Sequence, residues 1–330
     1  MKLRELGNTG LQVSPIGLGT AALGRPGYIN LGHGADLAEQ NSVQAMEQRM
    51  HQMLAIAYQK GIRYFDAARS YGKAEEFLHS WFQKNPSSKD LVIGSKWGYT
   101  YTADWSISAE KHEVKEHSLV NLQKQWAESQ SLLKNYLDIY QIHSATIDSG
   151  VLDNQEVLDQ LWKYKEEGVK IGLSLSGIKQ NETLDKALEI QYNSELLFDT
   201  VQVTWNILES VLSPYLEKAA QQGMGVIVKE GVANGRLTSR NVEADFVEKK
   251  QVLAEIAANH NVEIDAVALA VILHQKWCGV ALSGASTEEQ LQSNLNAVDL
   301  KFSTKELSTL LSLAESSEDY WAKRSALAWN

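Results

Sequence analysis

Apolar residues along the chain fall into two alternating patterns: short continuous runs, and longer stretches in which they recur every three or four positions. The series opens with apolar-alternating runs at 2–7 and 11–18 around the turn Asn8-Thr9-Gly10. These predict an N-terminal hairpin leading into a first strand, Val13–Gly19. Residues 21–44 are Gly-rich and aperiodic, a loop length that in a compact protein marks a functional cover or a mobile segment. Beyond it the patterns predict helix 46–60, strand 61–66, helix 73–84, strand 91–96, a Trp/Tyr-rich loop 97–108, helix 110–134 and strand 137–143. Helix 154–167 and strand 169–174 follow, then helix 180–190, strand 199–204, helix 210–222 and strand 225–229. Loop 230–242, helices 243–260 and 263–276, strand 279–283 and helix 287–298 complete the series.

Strands that alternate with helices imply a parallel sheet, and eight such units imply closure. The expected architecture is α/β: a (β/α)8 TIM barrel with an N-terminal β-hairpin and extra C-terminal helices, in one domain spanning 1–330. Leu91-Val-Ile, Ile139-Tyr-Gln-Ile and Val226-Ile-Val are continuously apolar, as suits strands covered on the outside by helices. A doubly wound sheet is the alternative. The one glycine motif that would favour it, Gly17-Leu-Gly19-Thr20 with Ala22, is followed by Gly24-Arg-Pro-Gly27 where a helix should open.

Composition narrows the class. A chain of 330 residues, 44% hydrophobic, can bury a large core; its net charge of -10, without a long basic block, argues against nucleic acid or an anionic membrane as partner. The single cysteine, Cys278, excludes an intrachain disulfide framework. The opening Met-Lys-Leu-Arg-Glu-Leu-Gly carries no signal-peptide run and no stretch is apolar enough to span a bilayer, so a cytoplasmic location is expected. The sequence assigns no oligomeric state.

In a barrel of this kind the active site is built from the C-terminal ends of several strands. Asp66 ends the second strand and Tyr71 follows five residues later; Lys96 ends the third and His143 the fourth. Alone, each has an ordinary structural role. Together, Asp66 partners the lysine, the ammonium favours the phenolate and lowers the Tyr71 pKa, and His143 orients a carbonyl oxygen.

Phe65-Asp66-Ala-Ala-Arg-Ser-Tyr71-Gly-Lys-Ala-Glu75, with Lys96 and His143, resembles the catalytic tetrad motifs of the aldo-keto reductases. Leu6-Gly-Asn-Thr-Gly-Leu-Gln-Val-Ser14, Gly17-Leu-Gly-Thr20, Ile171-Gly-Leu-Ser174, Val201–Asn206 and Ser283–Asn294 extend the resemblance over nearly the whole chain. The resemblance implies a barrel that binds a nicotinamide cofactor without a Rossmann fold, with Tyr71 as proton donor in the interconversion of an aldehyde, ketone or sugar and an alcohol. It also implies cofactor contacts from Gly19, Thr20, Asp66, Ser174, Gln202, Lys229, Gly235, Arg236, Gly284, Ser286, Gln290 and Asn294. A non-catalytic alternative resembles the potassium-channel β-subunits, which bind cofactor and serve as partner modules. A cofactor-independent lyase or isomerase would leave Gly284–Asn294 unexplained.

Two departures from the family pattern stand out. Ser174-Leu175 replaces a usual Ser-Asn, and Lys229-Glu-Gly-Val232 replaces an aromatic residue and Ser-Pro-Leu, leaving Trp205 as the candidate to stack on the nicotinamide. On cofactor choice, Ser286, Gln290, Asn294 and Arg236 favour NADP(H) over NAD(H), against the negative charge of Glu288 and Glu289. Trp97, Tyr99, Tyr101 and Trp105 are expected to wall the substrate pocket, and Arg25 and Arg69 remain open as clamps for an anionic substrate. His112 and His117 sit five apart, splayed on a helix, so a solvated helical face is expected there and no metal site.

Overall fold

The computed structural model describes residues 1–38, 40–88 and 90–330; Glu39, inside the expected 21–44 loop, and Lys89 lie outside the described residues. Eight strands close into a barrel: β1 Ile16–Gly19, β2 Tyr64–Asp66, β3 Val92–Trp97, β4 Leu137–Ala145, β5 Lys170–Leu175, β6 Thr200–Thr204, β7 Gly225–Lys229 and β8 Val280–Ser283. Each pairs in parallel with its neighbours in sequence, and β8 closes on β1. Parallel pairing follows from the helix between consecutive strands, which returns the chain to the same end of the sheet.

Two apolar layers hold this shape. The outer one packs helices against strands, with Phe65, Ile93, Tyr140, Leu173, Val201 and Val228 buried under Met50, Leu78, Leu122, Leu161, Leu216 and Leu269. The inner one fills the N-terminal end of the barrel with Tyr64, Val92, Ile139, Ile227 and Val280, and the hairpin Arg4–Glu5/Gln12–Val13 plugs it with Leu6 and Val13. Leu6 enters because Gly279 has no side chain: a Cβ there would lie 2.5 Å from Leu6 Cδ1. The closed end is packed, so ligands have access only at the opposite, C-terminal face.

One expected element is different. Helix 110–134 starts only at Leu119, where Ser118 caps it by accepting from Asn121 N at 3.2 Å. Upstream, Glu113–Lys115 forms an antiparallel ribbon with Tyr99–Tyr101, so the Trp/Tyr-rich loop is partly strand. The expected extra helices are present as Thr304–Leu311 and Ser317–Ser325, and the 21–44 loop contains the one-turn helix His33–Leu37. Among the described residues, no single helix is long and apolar enough to cross a membrane.

Candidate active site

The four expected catalytic residues meet at the C-terminal mouth of the barrel. Lys96, fully buried at the end of β3, donates to Asp66 Oδ2 at the end of β2 and to Ala67 O at 2.9 Å. Asp66 Oδ1 accepts from Gln202 Nε2 of β6 at 2.7 Å and from the Tyr64 hydroxyl at 3.2 Å, so its position is set from three strands. The Tyr71 ring centroid lies 4.9 Å from Lys96 Nζ and 5.6 Å from the His143 ring, which meets it edge-on.

Local backbone geometry aims two of these groups. The Tyr71 loop is pinned by backbone contact between Gly24 and Gly72: Lys73 N donates to Gly24 O at 2.8 Å, and a Cβ on Gly72 would lie 2.4 Å from that carbonyl. His143 sits where the β4–β5 register shifts between Ile142 and Ala145, with Ser144 left-handed at φ 51 and its N–H bonded to Ser174 Oγ at 2.8 Å. Such a bulge re-aims a side chain that a regular strand would carry elsewhere.

Burial dominates the electrostatics. It pushes the Tyr71 phenol well above its ordinary value of 10.0, and the Asp66 carboxylate adds to the effect while Arg25 opposes it. This corrects the expected lowering: in the closed site burial and the Asp66 carboxylate outweigh the nearby cations. Burial, then Lys96, Lys229 and Arg25, hold His143 well below 6.5, so the imidazole is neutral, with Nδ1 3.4 Å from Ser70 Oγ. Lys229, at the end of β7, is lowered to about 8 by burial, against the pull of Glu230.

Asp66, Tyr71 and His143 open onto a cavity of about 630 Å³ that extends across β6, β7 and β8, and Lys96 is buried behind them. Of the expected cofactor contacts, Gly19, Asp66, Gln202, Lys229, Gly235, Gly284, Gln290 and Asn294 line it. Thr20, Ser174, Ser286 and Arg236 do not. Thr20 ties the first loop to β2 through Asp66 O at 2.8 Å, and Ser174 accepts from Ser144. Ser286 stands behind Gln290, whose Oε1 accepts from Ser286 N at 2.9 Å. Arg236 is buried with both Nη2 contacts on Glu315, at 2.7 and 2.9 Å, so its side chain is committed outside the cavity although its neighbours Asn234 and Gly235 line it. The cavity cation from this loop is Arg240.

Other expectations fall differently too. Trp205 is fully buried, bonded to Ser213 Oγ at 3.0 Å and packed on Trp277, so it cannot stack on a ligand. Trp97 packs on His117, and Trp105 donates to Asn41 O at 2.6 Å; neither lines the cavity. Its aromatic wall is Tyr28 and Trp329, with Arg25 4.8 Å from the Trp329 ring. Arg69 is committed to Glu75 and Glu128. His112 stacks on Trp329 and His117 bonds His143 O at 2.9 Å, so neither is a solvated helical residue. No cluster able to hold a metal occurs among the described residues.

The donor set fits a nicotinamide. Gln202 Oε1 is buried in the cavity wall with no partner among the described residues, an acceptor left open beside Asp66 where a carboxamide N–H would satisfy it.

The model of the aldo/keto reductase family matches residues 15–315 of the chain. The chain belongs to that family. Relatives span its length: an uncharacterized oxidoreductase, YqkF, of Bacillus subtilis is 22% identical over 98% of this chain and 100% of its own. The L-galactose dehydrogenase of Arabidopsis thaliana is 26% identical over 90% of this chain and 88% of its own. The holo form of an aldo-keto reductase from Bacillus halodurans superposes with a TM-score of 0.71 at 21% identity, covering 96% of this chain and 97% of that one. That likeness shows the fold, a (β/α)8 barrel.

In this aldo/keto reductase the segment after β7 is clamped by the C-terminal helix: Arg324 Nη2 donates to Glu230 Oε1 at 2.8 Å. Burial disfavours the Glu230 carboxylate, but Arg324 and Lys229 overcome it and hold its pKa at about 2 against 4.5. A depressed acid contributes stability above its unfolded value and loses it as pH falls through the folded one. Thermal unfolding should therefore drop between pH 4.5 and about 2, by on the order of 3 kcal/mol from this group. Glu230→Gln should flatten that window, and melts at closely spaced pH values would show it; an unchanged slope contradicts the assignment.

Proposed function

We propose that the chain is an NAD(P)(H)-dependent oxidoreductase of the cytoplasm that interconverts a small-molecule aldehyde, ketone or sugar and the corresponding alcohol, with Tyr71 as proton donor. The observation that carries this reading is that Tyr71, Asp66 and His143 line one cavity, with Lys96 buried behind them, beside Gln202, whose buried Oε1 has no partner among the described residues. A bound reduced nicotinamide supplies the hydride. Gln202 would hold the carboxamide, while Gly19, Lys229 and Gly284 form the wall around it.

The protein's own groups supply the proton. Burial keeps the Tyr71 phenol protonated, the form needed to donate to a carbonyl oxygen as that oxygen gains charge. Lys96, 4.9 Å from the ring, stabilises the phenolate left behind, and Asp66 keeps the lysine charged and in place. His143, neutral, donates a ring N–H to the same oxygen and orients it. In the oxidation direction the same residues act in reverse. Nothing in the site favours a partner-module role over this chemistry.

The substrate end is polar and aromatic. Arg25 is paired with Glu113 at 2.9 Å and Arg324 with Glu230 at 2.8 Å, so these two arginines of the wall are already committed to carboxylates and the wall offers mainly neutral donors and acceptors. This suits a hydroxylated carbonyl, and the Arabidopsis relative, an L-galactose dehydrogenase, adds sugars to the panel worth testing. The test is cofactor turnover, followed optically, with aldehydes, ketones and sugars and both nicotinamide cofactors. Tight cofactor binding without turnover of any of them would count against the enzyme reading. Trp329→Ala should change relative activities across that panel more than cofactor affinity; equal effects on every substrate would reduce Trp329 to packing.

A further inference from the structure

Anion sites in barrels of this kind are built from the loops after strands seven and eight and the N-terminus of a short helix. Here those parts supply Arg240 after β7, and Ser286 and Gln290 around the start of helix Glu288–Leu295 after β8. A carboxylate already occupies their donors. Asp36 accepts from both terminal nitrogens of Arg240, from Gln290 Nε2 at 2.8 Å and from Ser286 Oγ at 3.4 Å. It comes from the one-turn helix His33–Leu37 in the first loop and lines the cavity.

Asp36 is held from behind. Arg49 Nη1 donates to Asp36 O at 2.8 Å and Nη2 to Leu37 O at 3.1 Å, and Leu37 is 1% exposed, so the carboxylate stands on an anchored turn. The surrounding wall adds Glu263, Asp265 and Glu289, so four carboxylates line this end against Arg240 in the wall and Arg49 behind it. A 2′-phosphate, carrying roughly -1.5 to -2, would compete with Asp36 for every donor and meet repulsion from it. A free ribose 2′-hydroxyl would instead donate to Asp36. Dinucleotide sites on other folds use an acidic residue in the same way.

We infer that Asp36 sets cofactor choice, accepting a hydrogen bond from the adenosine ribose and selecting NAD(H) against NADP(H). This reverses the lean toward NADP(H) drawn from Ser286, Gln290, Asn294 and Arg236, and it rests on the oxidoreductase reading of the cavity.

The test is direct titration of NAD+ and NADP+ by calorimetry on the unmodified protein, Asp36→Asn and Asp36→Ser, with thermal unfolding of each variant as a folding check. The unmodified protein should bind NAD+ at least about tenfold more tightly than NADP+, and Asp36→Asn, which keeps the shape and removes the charge, should tighten NADP+ by about tenfold or more. Adding Arg240→Gln to Asp36→Asn should cancel that gain, because it removes the cation that a phosphate would then use. If Asp36→Ser does not fold, the isosteric Asp36→Asn carries the comparison. NADP+ binding as tight as NAD+ to the unmodified protein, or an Asp36→Asn ratio within about twofold of the parent, overturns the inference alone. Failure of both nucleotides to bind the unmodified protein overturns the oxidoreductase reading and this inference with it.

Discussion

Tyr71→Phe is expected to lower turnover in carbonyl reduction by about 10²- to 10⁴-fold while leaving cofactor affinity nearly unchanged, since general acid assistance is worth that much and the change removes one oxygen. The site geometry makes the loss specific. Lys96 stands 4.9 Å from the Tyr71 ring and His143 meets its edge, but Lys96 donates to Asp66 and Ala67, and His143 is held neutral. Neither is arranged to give up a proton in place of the phenol. The check is single-turnover kinetics with saturating cofactor, together with titration of the cofactor alone. A variant that keeps half the parental rate, with chemistry shown to limit it, would remove Tyr71 from the role.

Lys96→Met should abolish turnover and also destabilise the fold, which distinguishes it from Tyr71→Phe. Lys96 and Asp66 have side-chain exposures of 0% and 2%, so removing the cation leaves a buried carboxylate supported by only Gln202 and Tyr64. Breaking such a pair costs about 3–5 kcal/mol, or roughly 5–10 °C in melting temperature for a chain of this size. Adding Asp66→Asn removes the stranded charge, so the double variant should recover much of the stability and none of the activity. Melting curves and turnover for the single and double variants test both halves. Parental stability in Lys96→Met would mean that the pair is not buried in solution as it is here.

The two variants also bear on which parts of the molecule were legible from residues alone. The strand ends were. Leu91-Val-Ile-Gly-Ser-Lys96 reads as a buried strand whose terminal charge needs a partner, and Asp66, ending the neighbouring strand, supplies one. Local periodicity carries that information because strand content and the cost of an unpaired buried charge are properties of short stretches. The motif around Asp66 and Tyr71 carried the family for the same reason.

Distant pairings were not legible. Whether residues 110–118 continue a helix or pair as a ribbon depends on Tyr99–Tyr101 lying alongside, although Ser118 was a readable cap. Arg236 and Arg240 look alike in sequence, and only the distant partner Glu315, 79 residues on, takes the first while the second faces the cavity.

The order of barrel elements and the four residues at its mouth were thus determined by the sequence itself, since each is encoded in a run of a few neighbouring positions. The charge state of Tyr71 and the seat of Asp36 were decided only by the tertiary structure. The first is a balance of burial, Asp66 and Arg25, and the second is a contact between Asp36 and Gln290 across 254 residues. Electrostatic energies depend on distance and on water excluded by the closed fold, and neither quantity exists before the barrel has formed.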